Sequence, residues 1–311
     1  MNAERASQTP PAAVNFCGVN VKDYLKKQAR VVDQEMNRLL PKAGEKPATL
    51  HRAMRYSLFA GGKRMRPVLC LAAAEACGGK TAGALPSACA IELVHTYSLI
   101  HDDLPCMDDD DLRRGKPTSH KKFGEGVAVL AGDALLTAAF GILAETRPTA
   151  RYPAANFVRE LASAAGSRFL IAGQVADLEA EGKKISRQQL RFIHAGKTSA
   201  MISVSLRLGA MSANASPAEV LALGEFGNSL GLAFQVIDDI LDVTQSSEKL
   251  GKSAGKDEKA GKSTYPAVMG LDASREEARV LTAQAKAALS KFGAKAARLH
   301  EMADHLLVRD F

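Results

Sequence analysis

The strongest constraint in this chain is a run of acid set directly on an apolar helical pattern. Ile91, Leu93, Val94, Leu99 and Ile100 recur at helical spacing, and the segment passes straight into Asp102-Asp103-Leu104-Pro105-Cys106-Met107-Asp108-Asp109-Asp110-Asp111, followed by Leu112-Arg113-Arg114-Gly115. Carboxylates crowded beside a core element are costly to desolvate unless a cation neutralises them. Carboxylate oxygens suit Mg²⁺, which keeps several waters and completes its octahedron with phosphate oxygens. Arg113 and Arg114 point to the source of those oxygens, because a guanidinium fork matches phosphate geometry. Asp102 and Asp108 would lie on different faces of an unbroken helix, and Pro105 stands between them. The helix is therefore expected to kink or end here if both acids hold metal.

A second acidic stretch, Gly231-Leu232-Ala233-Phe234-Gln235-Val236-Ile237-Asp238-Asp239-Ile240-Leu241-Asp242, repeats the idea far away in sequence. Its acids stand at i, i+1 and i+4 of an apolar helix, where i and i+4 share a face. The alternative for either stretch alone is a solvated helix end. Gly61-Gly62-Lys63-Arg64-Met65-Arg66-Pro67 then gathers three cations at the start of a helix, where unpaired N–H groups and the helix dipole also favour an anion. An ordinary basic surface loop is the competing reading.

The remaining pattern is helical. Tyr24, Leu25, Val31, Val32, Met36, Leu39 and Leu40 outline a helix ended by Pro41, and Thr49 is expected to cap the next one. Pro86 is expected to open the helix leading to the first acidic cluster, and Phe123 to Ala144 reads as a buried helix. Arg113 to Pro117 is expected to be a basic loop. Gln174 and Asp177 share a helix face and either order neighbouring helices or face a site. His194-Ala195-Gly196-Lys197-Thr198 lies within a helical pattern, where a lone lysine ordinarily snorkels to solvent. The lysines between Ser246 and Lys262 form either a solvated loop or a cationic lid.

No strand-like alternation and no repeat of 20 to 50 residues is visible, so the expectation is all-α, a large helical bundle. Residues 1–20 are expected to form a loose tail and 21–311 a single domain. Five cysteines without metal-ligand spacing suggest a reduced, intracellular protein, and cytoplasmic localisation is expected. No run looks long and apolar enough to span a bilayer, so no stable membrane insertion is expected, and the first residues lack a signal-peptide core. A diffuse net charge of +7 is weak evidence for nucleic acid, and the basic residues lie beside acids that would repel its backbone.

With Gly61 to Pro67, Asp102 to Asp108, Arg113-Arg114 and Asp238 to Asp242 present in this order, the chain resembles the trans-isoprenyl diphosphate synthases from about residue 20 to its end. It is similar to the bacterial farnesyl and the geranylgeranyl branch, in which four residues separate the first aspartate pair from the next aspartate. The resemblance implies an all-α, isoprenoid-synthase-type bundle around a deep central cavity, normally homodimeric. It implies Mg²⁺, three ions per site, with ligands drawn from Asp102, Asp103 and Asp108 on one side and Asp238, Asp239 and Asp242 on the other. Arg113, Lys197, Thr198, Gln235 and Lys252 would hold an allylic diphosphate, with Lys262 closing over it. Lys63, Arg66, His95 and Arg114 would bind isopentenyl diphosphate. Asp102, Asp108, Asp238, Arg113 and Lys197 are the expected catalytic set, acting on the departing diphosphate.

The same resemblance makes product length depend on the depth of the cavity below the first acidic motif. Tyr97, five residues before Asp102, would point down it, with Ser98 beside it. An aromatic there fits a farnesyl (C15) product, and geranylgeranyl (C20) is the alternative; Tyr97 as ordinary core is the bland one. Terpene cyclases also pair aspartates with Mg²⁺, but their second motif is Asn/Asp-Ser/Thr-Glu, unlike Asp238 to Asp242. A non-catalytic regulatory subunit would be expected to lose some of these acids or bases, and all are present.

Overall fold

The computed structural model describes residues 20–244 and 263–307. Lys252, Lys262 and the rest of the lysine-rich stretch lie outside them, as do residues 1–19. The regular elements of the described residues are helices apart from one small hairpin: α1 Val21–Leu39, α2 Ala48–Leu58, α3 Met65–Ala76, α4 Thr81–Asp102, β1 Leu112–Arg113, β2 Lys116–Pro117, α5 Ser119–Phe123, α6 Glu125–Ala144, α7 Ala154–Ala165, α8 Leu170–Ala180 and α9 Arg187–His194. A π-helical turn, Ala195–Ser199, leads into α10 Ala200–Ser212; α11 is Pro217–Thr244, α12 Tyr265–Met269, α13 Leu271–Ala288, and a 3₁₀ segment Ser290–Ala296 precedes α14 Ala297–Leu307. The all-α expectation holds.

Helices α3, α4, α10 and α11 form the centre, and close backbone approach explains their composition. Gly209 of α10 lies on the Cys70 carbonyl of α3, and Gly227 and Gly231 of α11 lie on Ser203 and Ser199 of the α10 strip; a Cβ at any of the three would collide. Leu69, Ile91, Leu93, Phe226 and Leu230 fill the space that remains, each fully buried.

Several boundaries differ from expectation. Helix α2 starts at Ala48 behind Pro47, one residue before Thr49, which therefore sits in the first turn and caps nothing. Pro86 lies inside α4, whose first turns begin at Thr81; so near the N-terminus its missing N–H forfeits only one early bond. Gly124, at φ 86°, splits the Phe123–Ala144 run into α5 and α6. The expected buried helix is moreover only half covered: α6 packs on α4 but exposes Val129 and Leu130. Two helices, Glu125–Ala144 and Pro217–Thr244, are by length and composition apolar enough to cross a membrane, where none was expected; small Ala and Gly residues spread through both supply much of that apolar character. The second is mostly buried in the centre of the bundle.

Candidate active site

Helix α4 ends at Asp102, as the Asp102/Asp108 spacing required. The chain then folds back: the Asp108 N–H donates to the Asp102 carbonyl at 2.8 Å, and Met107 N–H and Asp109 N–H both reach the Leu104 carbonyl, with Asp109 in the left-handed region. This compact turn returns Asp108 to the side of Asp102 despite the intervening proline. Beyond it, the expected basic loop is a two-residue antiparallel hairpin, Leu112 opposite Pro117 and Arg113 opposite Lys116. Arg114 and Gly115 both have positive φ, the geometry of a type I′ turn.

The hairpin sends its two arginines to different places. Arg113 Nε donates to Asp103 Oδ1 at 2.7 Å, and Nη2 forms an ion pair with the same oxygen at 2.6 Å. Burial raises the Asp103 pKa while the hydrogen bond from Arg113 opposes it. Arg114 instead donates to the Gly61 carbonyl and lies across Gly62, where a Cβ would stand 2.6 Å from Nη1. The pair itself is required by the backbone, since Gly61 and Gly62 have φ of 105° and 130°, which side chains other than glycine's rarely allow.

The basic loop, His95 and Arg114 line a cavity of about 570 Å³ together with Glu92, Phe234 and Leu306. Arg66 Nη1 donates to His95 Nε2 at 3.3 Å, and Arg66 Nε is buried without a partner. Burial, then the charges of Arg66 and Arg114, hold the His95 pKa well below its ordinary value. A neutral His95 accepting at Nε2 carries its proton on Nδ1. Cations, a neutral imidazole and the open first turn of α3 make this an anion pocket.

A chain of contacts runs from the first acidic motif to the second. Gln174 Nε2 of α8 donates to Asp102 Oδ1. Asp177, one turn on, pairs with Lys197 Nζ at 2.9 Å. Lys197 and Thr198 sit on the π turn, a distortion that often marks functional sites. Thr198 Oγ1 donates to Gln235 Oε1 at 3.1 Å, and Gln235 Nε2 donates to Asp239 Oδ1 at 3.2 Å. Gly173 and Gly196 permit this junction: a Cβ on Gly173 would stand 2.5 Å from the Lys197 amide nitrogen, and one on Gly196 2.6 Å from the Phe169 carbonyl. Gln174 and Asp177, left open by sequence, thus touch two of the expected site residues.

Several of the six acids expected as metal ligands already hold protein donors. Asp103 holds Arg113, Asp102 accepts from Gln174, and Asp239 accepts from Gln235 and, through Oδ2, from the Tyr265 N–H at 2.9 Å. A carboxylate offers about four acceptor sites, so these bonds orient the acids and leave lone pairs for a cation. No group of three or more acids, histidines or cysteines is preassembled for a metal among the described residues. The donor set nevertheless fits Mg²⁺: it is all oxygen, and Asp242 Oδ1 and Gln174 Oε1 are buried acceptors without partners. An ion held by few carboxylates and completed by phosphate and water needs no preformed cage. Tyr97 is 7% exposed, its ring perpendicular to that of His101 at 5.5 Å, and Ser98 returns its hydroxyl to the His95 carbonyl.

Residues 47–302 match the polyprenyl synthetase family model. The chain is 48% identical over 309 residues to the heterodimeric geranylgeranyl pyrophosphate synthase large subunit 1 of Arabidopsis thaliana, covering 97% of this chain and 81% of that one. It is 52% identical over 267 residues to the geranylgeranyl pyrophosphate synthase of Catharanthus roseus, with 85% and 75% covered. Among solved structures, an FPP/GFPP synthase from Zymomonas mobilis superposes with TM-score 0.83 at 36% identity, covering 93% and 99%, and geranylgeranyl pyrophosphate synthetase from Pyrococcus horikoshii with TM-score 0.84 at 31%, covering 93% and 98%. The family model and these relatives match the chain over most of its length, and the chain belongs to the polyprenyl synthetase family, the trans-isoprenyl diphosphate synthases.

Proposed function

We propose that this prenyltransferase condenses allylic diphosphates with isopentenyl diphosphate, head to tail, and extends the chain to geranylgeranyl diphosphate. The observation that carries the reading is that two separate arrangements suited to anions exist: Lys197 and Thr198 beside the acidic motifs, and the cationic pocket lined by Lys63, Arg66, His95 and Arg114. Two substrates of like charge need two such places. Mg²⁺ would be held by ligands drawn from Asp102, Asp103, Asp108, Asp238, Asp239 and Asp242, and would neutralise charge on the leaving diphosphate. Arg113, Lys197, Thr198 and Gln235 orient the allylic diphosphate, and the cations among them favour departure of its oxyanion. The allylic C–O bond breaks, the isopentenyl double bond attacks the resulting cation, and a proton leaves the adduct to the released diphosphate. No protein nucleophile is required, and the apolar walls exclude water that would trap the cation.

The C20 product is supported by the named activity of the plant relatives at 48% and 52% identity. The C15 reading rests on Tyr97, a buried aromatic one and a half turns before Asp102. For assembly, the exposed apolar face of α6 supports pairing with a second copy; the Arabidopsis relative is itself named a heterodimer subunit. Incubation with isopentenyl and dimethylallyl diphosphates, with and without Mg²⁺, followed by chromatography of the dephosphorylated alcohols, tests the proposal. Geranylgeraniol only with Mg²⁺ is expected. Farnesol as end product would transfer the case to Tyr97, and no prenyl alcohol would overturn the function.

A further inference from the structure

The basic cavity contains one residue that does not belong in an anion pocket. Glu92, on α4 three residues before His95, is 2% exposed and lines the same wall as Lys63, Arg66 and Arg114. A buried carboxylate repels an incoming diphosphate, so its presence needs another reason.

Its partner supplies one. Arg64 is 4% exposed and directs every contact inward: Nη1 to Glu92 Oε1 at 2.8 Å, Nε to Asp33 Oδ1 at 2.9 Å, and Nη2 to the Leu58 carbonyl at 2.6 Å. Those acceptors lie on α4, on α1 and at the last residue of α2, so one guanidinium fastens three helices beneath the loop. Arg64 also has φ 50° and is the residue from which α3 starts. A non-glycine side chain in the left-handed region persists only where its surroundings hold it. The chain thus reverses at Arg64, and although Lys63, Arg64 and Arg66 all border the cavity, the Arg64 guanidinium is committed to Glu92, Asp33 and the Leu58 carbonyl.

We infer that Glu92, acting through Arg64, is the positioning residue of the isopentenyl-side diphosphate pocket: it turns one of three adjacent cations into scaffold so that the other two, with Arg114, converge. The inference rests on the function proposed above. Glu92 also places a negative charge among Arg66 and Arg114, which otherwise repel one another across the cavity before a diphosphate arrives.

The test uses the full-length enzyme, Glu92→Gln, and the charge-free double variant Arg64→Met/Glu92→Leu. Steady-state KM is measured separately for each substrate, and binding of inorganic diphosphate without metal by calorimetry, which reports on the cationic pocket. Glu92→Gln is expected to raise the isopentenyl KM at least tenfold and weaken diphosphate binding similarly, with the allylic KM changed less than twofold. The double variant, which removes both buried charges together, is expected to regain the thermal midpoint of the parent while keeping the high isopentenyl KM; should Glu92→Gln fail to fold, it carries the test alone. A parent-like isopentenyl KM in either variant, or both KM values rising together, would overturn the inference. A parent enzyme that binds diphosphate but forms no prenyl product would instead sink the proposed function and leave the calorimetry to judge Glu92.

Discussion

His95 shows how one residue ties the anion pocket to acid stability. Burial among arginines holds its pKa well below the ordinary value, so between that depressed value and about 6.5 the unfolded chain takes up a proton that the folded chain refuses. Where the unfolded state binds more protons, stability rises with pH, and so the contribution of His95 is lost as pH falls through about 6.5 toward the folded pKa. His95→Gln, which keeps an acceptor for Arg66 but cannot titrate, is expected to lose less of its thermal midpoint between pH 7.5 and 5.5 than the parent does, as followed by circular dichroism. Equal losses would mean that His95 is protonated in the folded pocket.

At the scale of elements, the junction of α8 with the π turn is where packing sets function. Gly173→Ala drives a methyl to 2.5 Å from the Lys197 amide nitrogen, a backbone atom that cannot rotate aside. Overpacking of this kind costs about 1–3 kcal/mol, and the displaced turn carries Lys197 and Thr198 with it. A fall of at least tenfold in kcat is therefore expected alongside the lower thermal midpoint. Gly83→Ala in α4 is the control: its would-be Cβ meets only the Ser212 carbonyl at 3.7 Å, an ordinary contact, and the exchange should add up to about 0.5–1 kcal/mol by helix propensity. This junction also marks the limit of what the sequence disclosed. The acidic clusters and the basic loop were legible because charge set on an apolar helical period is a local signal. The helix end at Asp102 followed from spacing and Pro105. Two-residue strands have no period to detect, and the π turn enters and leaves through ordinary helical dihedrals at Ala195 and Ser199. That Asp103 takes Arg113, Asp102 takes Gln174 and Asp239 takes the Tyr265 N–H depends on partners outside the local pattern, as does the inward turn of Arg64.

Over the whole molecule, α6 has two faces with different employment. Its buried side rests on α4, where Gly132 leaves room for the His101 ring and His101 Nε2 lies 3.1 Å from the Val129 carbonyl. His101 in turn packs edge-on against Tyr97, so α6 braces the residue to which the shorter product reading appeals. The opposite side offers Leu130, 58% exposed, beside Val129. A helix this apolar with one side uncovered calls for a cover, and a second copy meeting it across a two-fold axis uses the same patch twice. Replacing Leu130 by Glu then forfeits about 2 kcal/mol of burial at each of two positions, together about 4 kcal/mol or roughly a thousandfold in dissociation constant. Sedimentation equilibrium should find the parent at twice the 33.0 kDa chain mass and Leu130→Glu at the single mass. A parent of single mass would leave the face to another partner, and a Leu130→Glu dimer would move the interface off α6. Because α6 also braces His101 and Tyr97, the monomeric variant is expected to release a broader range of prenyl alcohol lengths than the parent; an unchanged product distribution would show that the brace holds without the second copy.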